Sequence, residues 1–163
     1  MTRLLLHITI LLAAMGACEE DQLEQQAYFE YFGVNYAWGF QYSHWIIDGE
    51  GNVRVSSYGD SAVWLSGGLD PNISNFDSVI YQVPKSELDS QMAKIWPASR
   101  GPVKTTEQRR YDFGSYGFNA FYQEKTIPLS LQSDTEDKVN QSPEAAELVL
   151  WLQGIREKLP SGN

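Results

Sequence analysis

Residues 36–55 read YAWGFQYSHWIIDGEGNVRV, and the patterning inside this stretch decides the fold class. Tyr36, Trp38, Phe40 and Tyr42 share one parity, while Ala37, Gly39, Gln41 and Ser43 occupy the other. Period two over residues 36–43 predicts a strand with one aromatic face and one small or polar face. The run His44-Trp45-Ile46-Ile47 then meets Asp48-Gly49-Glu50-Gly51-Asn52, and Val53-Arg54-Val55 follows. Turn chemistry between two β-prone runs predicts a hairpin.

Working outward, residues 62–65 and 79–83 are short apolar runs that predict further strands, and residues 118–122 and 127–131 predict a second hairpin around 123–126. Residues 84–95 (PKSELDSQMAKI) predict a helix, because Pro suits a first turn and Leu88, Met92 and Ile95 share one helical face. Pro97 marks its expected stop, and residues 99–110 read as a loop. The clearest element is the last. Ser142 is a good N-cap, Pro143 suits the first helical position, and Glu144 complements the positive end of the dipole. Ala145, Leu148, Val149, Leu152, Ile155 and Leu159 continue as a helical stripe, ended by Pro160 and Gly162. Strands, a helix, a hairpin and a final helix predict an α+β fold, an antiparallel sheet packed by two helices at about 84–95 and 143–159.

The whole chain has 163 residues, 42% of them apolar, which suits one domain with a working core. Its formal charge of −9 argues against a nucleic-acid binder, which needs excess Lys and Arg to neutralise phosphates. One Cys and two His exclude Cys₂His₂ and Cys₄ zinc sites and any internal disulfide. No run beyond the N-terminus approaches the ~18–20 apolar residues of a spanning helix.

The N-terminus reads as a processing signal. Arg3 is followed by the apolar run LLLHITILLAA at residues 4–14, too short for a stable spanning helix, and then by Met15-Gly16-Ala17-Cys18. This order resembles a bacterial lipoprotein signal peptide, whose lipobox is an aliphatic residue, two small residues and Cys; Met15 stands where Leu is usual. The resemblance implies cleavage before Cys18, a diacylglycerol thioether on its sulfur and palmitate-type acylation of the new N-terminus. It also implies a place in the bacterial cell envelope, lipid-anchored at the outer membrane, facing the periplasm or the surface. Residues 1–17 are then a signal peptide, 18–26 a lipidated acidic tether and 27–160 a single domain. The acids Glu19, Glu20 and Asp21 also resemble surface-export signals of some Bacteroidetes lipoproteins.

Chemistry is sparse in the rest. Asp48-x-Glu50-x-Asn52 starts like a calcium loop, but Val53 stands where Gly is required and Gly59 where Glu is required. His44 is the one histidine left after processing; it suits general base work, yet there is no G-x-S-x-G elbow, and a strand histidine beside Trp45 reads as structural. Neither phosphate-binding glycine motif occurs, and Gly114-Ser115-Tyr116-Gly117 is too short for either. No catalytic set, metal site or cofactor is assigned.

Two features point to binding instead. The aromatic set Tyr36, Trp38, Phe40 and Tyr42 can stack on sugars or anchor a protein, although a small sheet also buries such residues as core. Lys94, Arg100, Lys104, Arg109 and Arg110 fall close together in an acidic chain, and such cations suit an acidic partner or a lipid headgroup. The expectation is a non-enzymatic binding domain for a protein, peptide or glycan, with the membrane as a partner through Cys18 and no nucleic acid. The alternatives are a hydrolase using carboxylates, with or without His44, and an inhibitor of secreted proteases that inserts residues 99–110 into a cleft.

Overall fold

In a computed structural model, residues 27–35, 41–55, 76, 78–111, 113–123 and 125–159 are described. Eight strands form one antiparallel sheet: β1 (Ala27–Asn35), β2 (Gln41–Asp48), β3 (Asn52–Val55), β4 (Ser78–Gln82), β5 (Val103–Glu107), β6 (Ser115–Tyr122), β7 (Lys125–Ser133) and β8 (Glu136–Asn140). Their order across the sheet is β4-β3-β2-β1-β6-β7-β8-β5. The helices are α1 (Lys85–Met92), α2 (Ile95–Ser99) and α3 (Pro143–Lys158).

Alternation sorts the central strands onto two faces. Phe29 and Tyr31 of β1, Trp45 and Ile47 of β2, Val53 of β3, Phe118 and Ala120 of β6, and Ile127 and Leu129 of β7 form one continuous core with the helices. The helices contribute Leu88 from α1, Ile95 and Ala98 from α2, and Ala145, Leu148, Leu152 and Ile155 from α3. On the opposite face Ala27, Ile46, Phe76 and Phe121 make a second, smaller cluster. The sheet therefore carries buried apolar side chains on both faces.

The expected hairpins form: β2 pairs with β3 through Trp45↔Val55 and Ile47↔Val53, and β6 pairs with β7 through Tyr122↔Lys125. In the first turn Gly51 adopts φ +87°, a left-handed geometry that a side chain disfavours. Asp48 is occupied within the same turn. Its carboxylate accepts from the Glu50 and Asn52 backbone N–H groups and from Arg54 Nε at 2.7 Å, so the resemblance to a calcium loop is a hydrogen-bonded turn. Burial pushes the Asp48 carboxyl up, and the hydrogen bonds from Arg54, Asn52 and Glu50 outweigh it and hold the carboxyl below its ordinary range.

The terminal helix starts where expected: Ser142 Oγ accepts from Ala145 N at 3.1 Å, with Pro143 at the first helical position. Two other expectations are corrected. The helix expected over 84–95 is two segments, and Pro97 lies inside the second, in the first turn of α2, where no helical N–H is required of it. The loop expected over 99–110 contains strand β5, paired along its length with β8. Both faces of β5 are exposed, so neither strand carries the apolar alternation that would mark it. Residues 103–107 of the segment expected to enter a protease cleft are therefore paired in a ladder. The strand expected at 62–65 and the signal and tether residues 1–26 lie outside the described residues.

Candidate functional site

The site grows from one unequal pairing. Strand β7 runs from Lys125 to Ser133, but β8 pairs only with Ser130, Leu131 and Gln132. Beyond the end of β8, that edge of β7 lies beside α2, while its other edge stays paired with β6. Asn140 ties these pieces together: its Nδ2 donates to Ala98 O at 2.9 Å and to Pro128 O at 3.4 Å. Its Oδ1 accepts from the Ser142 backbone N–H and hydroxyl. Because Ile95 and Ala98 fix the inner side of α2 in the core, Trp96 is turned outward and is 51% exposed.

The result is a cleft of about 400 Å³, walled by Trp96, Arg100, Val103, Tyr122, Lys125 and Thr126. Trp96 and Tyr122 meet at 5.3 Å between ring centroids, and the Arg100 guanidinium lies 5.5 Å from the Trp96 ring. No carboxylate is among the described residues that line it. In a chain of net charge −9, this is a local excess of positive charge beside exposed aromatic surface. Such a surface holds anions by charge and flat or apolar groups by contact.

The basic residues singled out in the sequence do not form one patch. Arg100 lines the cleft, and Lys104 is exposed on β5 one residue beyond Val103. Arg109 is exposed past the other end of β5. Arg110 is engaged: NH1 and NH2 bond Asp137 at 2.8 and 2.7 Å, and the guanidinium sits over Phe113. The Asp137 hydrogen bond raises Arg110 above its ordinary value, and Arg110 in turn lowers Asp137. Lys94 pairs with Glu147 at 2.7 Å. The expected cluster is drawn out along an edge strand because 103–107 is extended rather than looped. Of the aromatic set, Tyr36, Trp38 and Phe40 lie outside the described residues, and Tyr42 falls on the sheet face away from the helices.

On that second face lies a polar chain with a buried centre. Glu30, 2% exposed, accepts from His44 Nε2 at 2.7 Å and from Asn119 Nδ2 at 2.8 Å. The Tyr42 hydroxyl lies 2.6 Å from His44 Nδ1, and Phe76 packs edge-on against the imidazole. Register builds it: Glu30 is directly opposite Asn119, and Phe32 opposite His44 puts Glu30 on the diagonal to His44. The order hydroxyl, imidazole, carboxylate is that of a nucleophile-activating triad. The electrostatics run the other way. Burial, with Glu30 adding to it, pushes the Tyr42 hydroxyl up to about 12, which keeps it a proton donor.

That shift has a measurable consequence. The neutral phenol is favoured in the fold, so the stabilisation is complete below the ordinary value near 10 and is lost as pH rises toward about 12. Stability from urea unfolding should fall between pH 10 and 12 more steeply in the wild type than in Tyr42→Phe. Identical slopes would remove Tyr42 from the linkage.

Trp96, Tyr122 and Lys125 escaped the sequence reading. The usable signal was Trp96 itself, an aromatic off the Leu88, Met92, Ile95 face and next to a proline. Compared with known protein families and with curated proteins, the chain shows no match.

Proposed function

We propose that this chain is a lipid-anchored protein of the bacterial cell envelope, held at the outer membrane by acylated Cys18, whose α+β domain binds a partner rather than transforming a substrate. The observation that carries the binding reading is the cleft beside Trp96, where the exposed Trp96 ring, the half-buried Tyr122 ring and two cations converge without a described carboxylate. The anchor rests on the resemblance of residues 1–18 to a lipoprotein signal, and the partner classes are a protein, peptide or glycan with anionic character. The hydrolase reading has one observation in its favour, the His44–Glu30 pair, but a hydroxyl held in its protonated form is a poor nucleophile.

Three measurements test this. Cells supplied with labelled palmitate should acylate the wild type and not Cys18→Ala, and mass spectrometry should find the mature N-terminus at modified Cys18. An unmodified chain beginning downstream of Cys18 ends the anchor reading. Should a turnover be found that drops a hundredfold or more in His44→Gln with the melting temperature kept, catalysis replaces binding, since general acid–base groups contribute ~10²–10⁴-fold.

A further inference from the structure

We propose that the cleft beside Trp96 seats the phosphate of an anionic lipid headgroup, so that the domain rests cleft-down on the membrane its anchor enters. This deepens the proposed function and rests on its lipid-anchored reading. Position is the first support. Antiparallel pairing of Phe29 with Ala120 puts the start of β1 at the same end of the sheet as Tyr122 and Lys125. Val103 pairs with Asn140 at that end too, so the chain enters the domain where the cleft lies. Eight residues lie between Cys18 and Ala27, which makes nine Cα-to-Cα steps. Fully extended they span roughly 30 Å, less than the ~36 Å diameter implied by a radius of gyration of ~14 Å. The cleft end therefore stays closer to the acyl chains than the far end, where Arg109 and Tyr42 lie.

Chemistry is the second support. Trp and Tyr favour the membrane interface, where one part of the ring is dry and another wet, and Lys and Arg favour anionic headgroups. Trp96, Tyr122, Arg100 and Lys125 bring both kinds together, and Val103, 41% exposed, adds an aliphatic surface. Arg100 and Lys125 have no acidic partner among the described residues. A site this small is weak alone. Tethering raises the local concentration of headgroups to the millimolar range, where weak sites fill.

The test uses the mature chain from residue 18 with Cys18→Ser, which carries no acyl group. It should float with phosphatidylcholine vesicles that contain phosphatidylglycerol and not with phosphatidylcholine alone. Arg100→Gln with Lys125→Gln should weaken this by about 25-fold, at about fivefold for each cation near an anionic surface. Arg109→Gln, at the far end, should stay within about twofold of wild type. Three results would overturn the proposal: no flotation with either vesicle, an equal loss in Arg109→Gln, or inorganic phosphate binding the unacylated chain in solution without flotation. Acylation of native Cys18 is scored separately by mass, so loss of the anchor and loss of the headgroup site give different results.

Discussion

Replacing Glu30 with Ala is expected to destabilise the domain by about 2–5 kcal/mol, from ~1–3 kcal/mol for each polar group that it leaves without a partner. Glu30 is at the centre of the sheet, on β1, and accepts from both His44 and Asn119. Its loss strands two donors on a face where His44 is 8% exposed and Phe76 covers the ring. Each unsatisfied buried donor costs ~1–3 kcal/mol, and no water-sized change elsewhere restores the carboxylate. Glu30→Gln keeps one acceptor and the volume, so it should cost less, about 1–2 kcal/mol. Urea unfolding of the two variants checks this. A cost below about 1 kcal/mol for Glu30→Ala would mean that the chain is open to solvent and that His44 is available for chemistry.

The same residue explains where the sequence was hard to read. Strand β1 is central, flanked by β2 and β6, yet its alternation is hidden because both faces are covered. Phe29 and Tyr31 face the helices while Glu30 and Val34 are buried on the other side, so no polar positions mark the solvent. The two hairpins and α3 were legible because their signals are local: turn residues between apolar runs, and a cap followed by a helical stripe. Strands β5 and β8 were not, since VKTTE and EDKVN pair through backbone groups and bury little.

The candidate site was legible in one residue, Arg100. The rest of the cleft depends on where β8 stops relative to β7 and on Asn140 bridging 98 and 128, contacts that span 42 and 12 residues. Local patterning carries no record of such distances. Grouping cations by sequence proximity failed for the converse reason: an extended strand separates neighbours that a loop would gather. Arg110, close to Arg109 in sequence, is tied to Asp137, and Arg109 stands past the end of the ladder.

Closure of the core by α3 makes the second large expectation, and the helix contains its own control. Leu152 is fully buried against the sheet, in line with Ala145, Leu148 and Ile155, whereas Leu150 on the same helix is 69% exposed. Both Leu→Ala changes remove the same atoms and alter helix propensity equally, so only burial separates them. Leu152→Ala should cost ~2–5 kcal/mol, the transfer term plus the cavity left behind, and lower the melting temperature by about 5–15 °C in a chain of this size. Leu150→Ala should stay within about 0.5 kcal/mol of wild type. Glu147→Ala should be similarly mild, because its carboxylate, paired with Lys94, is 60% exposed and such pairs contribute little. Trp151 fixes the orientation of the helix: its Nε1 donates to Glu87 of α1 at 2.6 Å and its ring meets Phe29 edge-on at 5.0 Å. With that orientation held from two sides, Leu152 has no room to relax outward and its neighbours little freedom to collapse into the gap. The cost should therefore fall in the upper half of the range, and equal effects at 150 and 152 would show that α3 buries its other side as well.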